Sequence, residues 1–119
     1  TLGSRISAFD IAVDGELSRH RIWAQLESVP DGMCLDAEGA VWVALPLLGH
    51  VQRIAEGGTV LDRVQPTSDA PIACTLGGKD RRTLLIVTAP VAKSLDDYPG
   101  TFDARAETAI VDVPGAGWP

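Results

Sequence analysis

Two apolar hairpins of similar pattern lie about 40 to 45 residues apart in this chain. Met33-Cys34-Leu35, a glycine turn and Val41-Trp42-Val43-Ala44 form the first. Ala73-Cys74-Thr75, a Gly-rich turn and Leu85-Ile86-Val87-Thr88-Ala89 form the second. The segments outside them repeat as well. Arg5-Ile6, an apolar strand, Asp14-Gly15 and a further strand recur about 45 residues on as His50-Val51, a strand, Gly57-Gly58 and a further strand. A four-stranded unit of this length is the spacing of β-propeller blades. Each small twisted sheet leaves apolar faces that it cannot bury alone, so neighbouring sheets cover one another around an axis.

Read for period, the chain is strand and turn throughout. Strands are predicted over Ile6 to Val13, Arg21 to Leu26, Met33 to Leu35, Ala40 to Leu45, Val51 to Ala55 and Thr59 to Val64. Ile72 to Leu76, Thr83 to Ala89 and Thr108 to Val113 complete the set. Asp14-Gly15, Asp36-Ala37-Glu38-Gly39 and Glu56-Gly57-Gly58 are turn signals. Ala40 to Leu45 is almost continuously apolar, the mark of a strand buried on both faces. Residues 90–105 read as a polar loop in which Val91 to Leu95 has room for one short turn; no long helix is predicted.

Counted as blades, residues 1–26 hold the outer half of one, 30–65 a complete one, and 70–113 a last one lacking a strand, with 114–119 as a tail. The fourth strand of the last blade would come from elsewhere, in closed propellers usually the N-terminus. Propellers need 4 to 8 blades, so about two and a half cannot close a ring. The expectation is the C-terminal part of a longer all-β protein, in line with a first residue, Thr1, that is not Met. Standing alone, such a piece exposes sheet edges and one uncovered face, which invites association with the missing N-terminal portion or another copy.

Composition removes several functions. The 119 residues carry a net charge of −6 and show no clustered basic surface, which disfavours nucleic acid and anionic membranes. No apolar run reaches the roughly 20 residues of a membrane span, and the first residues lack the pattern of a secretion signal. Cys34 and Cys74 belong to no Cys-x-x-Cys pair and sit in apolar strands. They read as reduced, buried small hydrophobes, with a disulfide or a catalytic thiol as lesser alternatives. A cytoplasmic location follows from that reading.

Arg5-Ile6 through Asp10, Asp14-Gly15-Glu16-Leu17-Ser18, Arg21, and Pro30-Asp31-Gly32-Met33-Cys34-Leu35-Asp36-Ala37-Glu38-Gly39-Ala40-Val41-Trp42-Val43-Ala44 form an ordered signature. It resembles the gluconolactonase, senescence-marker-protein (regucalcin) and luciferin-regenerating-enzyme family. Cys74 to Asp80, Thr83-Leu84, Thr88-Ala89 and Val111-Asp112-Val113-Pro114-Gly115 resemble the family's last blade and end. The resemblance implies a six-bladed propeller with one divalent cation (calcium, or zinc, magnesium or manganese) at the mouth of its channel. It implies hydrolysis of sugar lactones, and sometimes of other esters or phosphoesters. The family's cation is held by a Glu, two Asn and an Asp. The Asp lies in a Pro-Asp-Gly-Met/Leu motif, which maps onto Asp31. The other three fall in blades that would precede Thr1.

The residues themselves are compatible with that role. Asp31 stands at the entry to an inner strand, and such entry loops converge on one mouth of a propeller. A carboxylate there suits a hard cation and can also act as general base toward an attacking water. By itself, Pro-Asp-Gly is an ordinary turn tripeptide; the surrounding signature is what distinguishes Asp31. Asp36 and Glu38 read as solvated turn residues, His20 as an exposed residue of a polar turn, and Trp23 and Trp42 as core. His50 is a candidate substrate contact beside the apolar loop Leu45-Pro46-Leu47-Leu48, which departs from the Gly- and Asn-containing loops of the family. No Gly-x-Ser-x-Gly elbow occurs, so serine hydrolase chemistry is not expected. The competing reading is a non-catalytic propeller fragment or interaction scaffold, inactive in isolation, because one carboxylate cannot hold a cation tightly.

Overall fold

The computed structural model describes residues 2–90 and 103–117. Their strands are β1 (Arg5–Ile11), β2 (Leu17–Gln25), β3 (Met33–Leu35), β4 (Val41–Leu45), β5 (His50–Ile54), β6 (Val60–Val64), β7 (Ala70–Gly77), β8 (Thr83–Ala89) and β9 (Arg105–Ile110). One 3-10 turn, Pro46–Leu48, lies between β4 and β5. The strands form three antiparallel meanders: β1-β2, β3-β4-β5-β6 and β7-β8-β9.

The four-stranded sheet lies between the other two, and β4 shows why. Successive side chains of a strand point to opposite faces. Val41, Val43 and Leu45 pack with Ile6, Trp23, Ala24 and Leu26 of the first segment. Trp42 and Ala44 pack with Cys74, Leu76, Leu84 and Ile86 of the third sheet. All five β4 residues are buried, as the unbroken apolar run predicts. Trp23 and Trp42 are core residues, also as predicted.

The second and third sheets meet closely at Gly32. Its N–H donates to the Ile72 carbonyl at 2.9 Å, and its carbonyl accepts from Ala44 N–H at 2.9 Å. A Cβ on Gly32 would fall 2.7 Å from Ala73 Cα and 2.9 Å from Ala73 Cβ. The obstruction includes backbone, so the strand itself must shift. Gly32→Ala is expected to destabilise the protein by about 1–3 kcal/mol, the range for overpacking, read as a lower denaturation midpoint.

Several boundaries differ from the periodicity. β2 begins at Leu17, because pairing with β1 extends through the polar run Ser18-Arg19-His20-Arg21. His20 therefore lies on a strand rather than in a turn; it is exposed and stacks on Phe9 with ring centroids 4.9 Å apart. β9 begins three residues earlier than expected, since its register is set by β8, from Thr88↔Arg105 to Thr83↔Ile110. The tail does not continue the strand. Val111 N–H donates to Arg82 O, and Gly115 bridges to Asp36 on the edge of the second sheet. The short turn expected over Val91 to Leu95 lies outside the described residues.

Asp36 corrects the expectation of a solvated turn. Its side chain is fully buried. Oδ1 accepts from the N–H groups of Glu38 and Ala40 at 2.9 and 3.0 Å, and Oδ2 accepts from Arg53 Nε at 2.6 Å. Arg53 Nη2 also reaches the exposed Glu38 carboxylate at 2.7 Å. Accepting from Nε, Asp36 holds the Arg53 guanidinium above its ordinary range. The fold uses this carboxylate to close the β3–β4 turn and to neutralise a largely covered arginine on β5.

Candidate functional site

Asp31 occupies the approach to β3, where the backbone is tied on two sides. Its N–H donates to the Ala44 carbonyl at 3.0 Å, at the end of β4, and the next residue bonds to Ile72 on β7. Pro30 is buried, while the Asp31 side chain is exposed. The main chain thus anchors the loop between two sheets and leaves the carboxylate at the surface. Proline suits this position because its fixed φ limits the loop, and glycine follows because only a residue without Cβ fits against Ala73.

The same end of the molecule carries the turn Pro46–Leu48 after β4, the start of β5, and the loop before β7. Gly49 has φ 72°, which terminates the 3-10 turn and lets the chain enter β5. Leu47 and Leu48 are exposed there, so the surface beside Asp31 is partly apolar. His50 is not a free group. It is buried, its Nδ1 bonds to the Leu48 carbonyl at 3.0 Å, and its Nε2 contacts Gln52 Nε2 at 3.0 Å. With Nδ1–H donating and Nε2 accepting from the amide, both ring nitrogens hold the β4–β5 connection. Through these two bonds, buried His50 shapes the apolar turn, in contrast to the free substrate contact weighed from the sequence.

A second polar cluster at this end was not visible in the sequence. Glu107 on β9 accepts from Thr67 N–H at 2.9 Å, Thr67 Oγ1 at 2.7 Å and Ser68 N–H at 3.1 Å, and also from Ser68 Oγ. Ser68 Oγ in turn bonds Thr88 Oγ1, on a fully buried residue, at 2.8 Å. Led by the Ser68 hydroxyl, these donors lower the Glu107 pKa to about 2. A carboxylate with its acceptor sites occupied in this way is a clamp on the loop, not a base. Because its folded pKa lies below the ordinary carboxylate value, the unfolded chain binds more protons as pH falls from about 4.5 toward 2. The stabilisation is full above that window and lost within it. Melting curves of the native protein and Glu107→Gln are expected to differ most above pH 4.5 and to converge toward pH 2. A constant difference across that range would contradict the assignment.

Asp31, the residue that the family resemblance predicts as a cation ligand, has its carboxylate exposed at this sheet end. Among the described residues, no three His, Cys, Asp or Glu side chains converge on a common point. Asp31 fits as a single oxygen ligand, and no further ligands converge on it among the described residues. The large cavity of about 580 Å³ is elsewhere: Ile6, Trp23, Met33, Cys34, Val41 and Leu76 are among its walls, and Asp31 is not. It is a mainly apolar gap beside the edges of β1 and β3, so it is not assigned to the Asp31 chemistry.

Comparison with known proteins places this geometry in a family. Residues 1–90 match the model of the SMP-30/Gluconolactonase/LRE-like region. Regucalcin from Danio rerio is 37% identical over 94 residues, covering 75% of this chain and 32% of its own length. Regucalcin from Oryctolagus cuniculus is 36% identical over 94 residues, covering 75% of this chain and 31% of its own. The chain thus spans about a third of the length of the curated relatives it matches. The structure of a luciferin-regenerating enzyme superposes with a TM-score of 0.78 at 20% identity, over 95% of this chain and 40% of that one. That of a calcium-binding protein, regucalcin, from Agrobacterium tumefaciens superposes with a TM-score of 0.68 at 22% identity, over 81% and 34%. These structural likenesses concern the fold. With the family model covering most of the sequence, the chain belongs to the SMP-30/gluconolactonase/LRE-like family.

Proposed function

We propose that this chain is the last part of a six-bladed β-propeller that hydrolyses a sugar lactone or similar ester with a divalent cation, and that Asp31 is one of its cation ligands. The observation that carries this reading is the Pro30-Asp31-Gly32-Met33 segment at a sheet end, main chain anchored and carboxylate exposed. In the propeller reading, the β3–β6 meander is a complete blade, β1-β2 the outer pair of the one before it, and β7-β9 three strands of the last. The open edge of β1, and exposed apolar residues such as Phe9, Ile11 and Ile22, support cover by the preceding portion of the protein.

A divalent cation bound there would supply Lewis-acid polarisation of the lactone carbonyl. Asp31 itself would contribute an oxygen ligand, and it would stand ready to accept the proton of an attacking water. Leu47 and Leu48, exposed at the same end, favour a substrate with an apolar portion. For the 119 residues alone, the lack of further converging ligands among the described residues favours an inactive propeller segment. Lactone hydrolysis measured with and without the preceding blades separates the two. The reading predicts hydrolysis that needs both those blades and a divalent cation; a longer protein with hydrolysis indifferent to chelation would overturn it.

A further inference from the structure

Forty residues separate Cys34 and Cys74 in sequence, yet the fold brings both into one packed cluster between the second and third sheets. Cys34 is the central residue of β3 and pairs with Trp42 on β4. Cys74, on β7 of the next sheet, places Sγ 3.4 Å from the Trp42 carbonyl and 3.8 Å from that of Gly32. Its sulfur therefore sits against the β3–β4 ladder at the level of Cys34. The approach is possible because Gly32 has no side chain to hold Ala73 away. The environments differ. Cys74 is buried, whereas Cys34 is half-buried and lines the cavity of about 580 Å³.

We infer that Cys34 and Cys74 form a dithiol site that reacts with small organic disulfides and closes to a disulfide joining the two sheets. Cys34 is the entry point because it borders the cavity. The neighbouring Cys74 thiol draws the Cys34 thiol below the ordinary range, against the effect of burial, and the thiolate is the reactive form. The same contact, followed by burial, pushes Cys74 up, so Cys74 keeps its proton until the second step. First, the Cys34 thiolate attacks one sulfur of the small disulfide. That bond breaks, one small thiolate departs, and a mixed disulfide remains on Cys34. Next, Cys74 gives its proton to solvent and attacks the Cys34 sulfur, expelling the second small thiolate. In total, two protein thiols become one disulfide and one small disulfide becomes two thiols.

Oxidised glutathione is the probe. Incubated with it, the purified protein is expected to lose two hydrogens in intact mass and carry no adduct. Neither cysteine should then react with an alkylating reagent, and digestion should yield the Cys34 and Cys74 peptides joined within one chain. Cys74→Ser should stop at one glutathione adduct on Cys34, and Cys34→Ser should stay unmodified over the same time. The native protein alone decides the matter if either variant folds poorly. Persistence of two alkylatable thiols, a stable glutathione adduct on Cys34, or a disulfide between two chains would each overturn the inference.

Discussion

On the proposed function, Asp31→Ala in a propeller completed by preceding blades is expected to lower cation-dependent lactone hydrolysis by at least about a hundredfold. Loss of a mere outer partner of a metal ligand costs about 10- to 100-fold, and Asp31 is proposed as a ligand itself. The fold should hardly notice. The Asp31 side chain is exposed and the loop is tied through its main chain to Ala44, with Gly32 tied to Ile72. Substitutions of that kind stay within about 0.5 kcal/mol. A large loss of activity with an unchanged melting temperature is therefore the expected pair of results. Asp31→Asn separates charge from shape: it keeps the size of the side chain and is expected to lose most of the activity too. Activity unchanged in both variants would remove Asp31 from the site.

Asp36 predicts the opposite pair. Asp36→Ala takes away the acceptor for two turn N–H groups and leaves Arg53, only 12% exposed, without its main counterion. Breaking a buried ion pair by removing one partner costs about 3–5 kcal/mol. Against the 5–15 kcal/mol typical of a whole domain, that is a large share, and it corresponds to a fall in melting temperature on the order of 10–20 °C. Replacing Arg53 by Met in the same chain is expected to recover part of the loss, since the stranded guanidinium is then gone. The exposed neighbour Glu38 offers a contrast: Glu38→Ala is expected to cost under about 1 kcal/mol, as exposed pairs do. Chemical denaturation of the three variants tests the ranking.

How far these features could be read in the sequence varies with their physical cause. β4 was legible because burial on both faces demands an unbroken apolar run, and Val41 to Leu45 is one. Turns at Gly15, Gly39 and Gly57 were legible because positive φ selects glycine, and all three have it. The start of β2 was not, since its first six residues are all exposed and polar or isolated apolar side chains carry no period. Nor was β9, whose register is dictated by a partner strand rather than by its own pattern.

Among the polar residues, Asp36 was misread because Asp-Ala-Glu-Gly has the composition of any solvated turn. The available signal was Arg53, a lone charge in the apolar strand His50–Ile54 that needed a partner. Cys34 was expected to be buried and is half-buried, because β3 is a short strand at the edge of its sheet. His50 was weighed as a substrate contact because it follows the turn beside Asp31. Its two ring bonds are made to residues two positions away on either side, a local arrangement that periodicity does not report. Asp31 was singled out only through its neighbours, since Pro-Asp-Gly alone is a common turn, and its role as a ligand remains the proposal. Under the proposed function its companion ligands would come from other blades, so no pattern within these residues would reveal the whole set.

Calorimetric titration of the complete protein with calcium, run in parallel on Asp31→Ala, bears most directly on the proposal that Asp31 is a cation ligand. The expected result is one saturable cation per molecule in the native protein and an affinity at least about a hundredfold weaker in the variant. Equal affinity in the two proteins, or no uptake of calcium, zinc, magnesium or manganese by the native one, would contradict it.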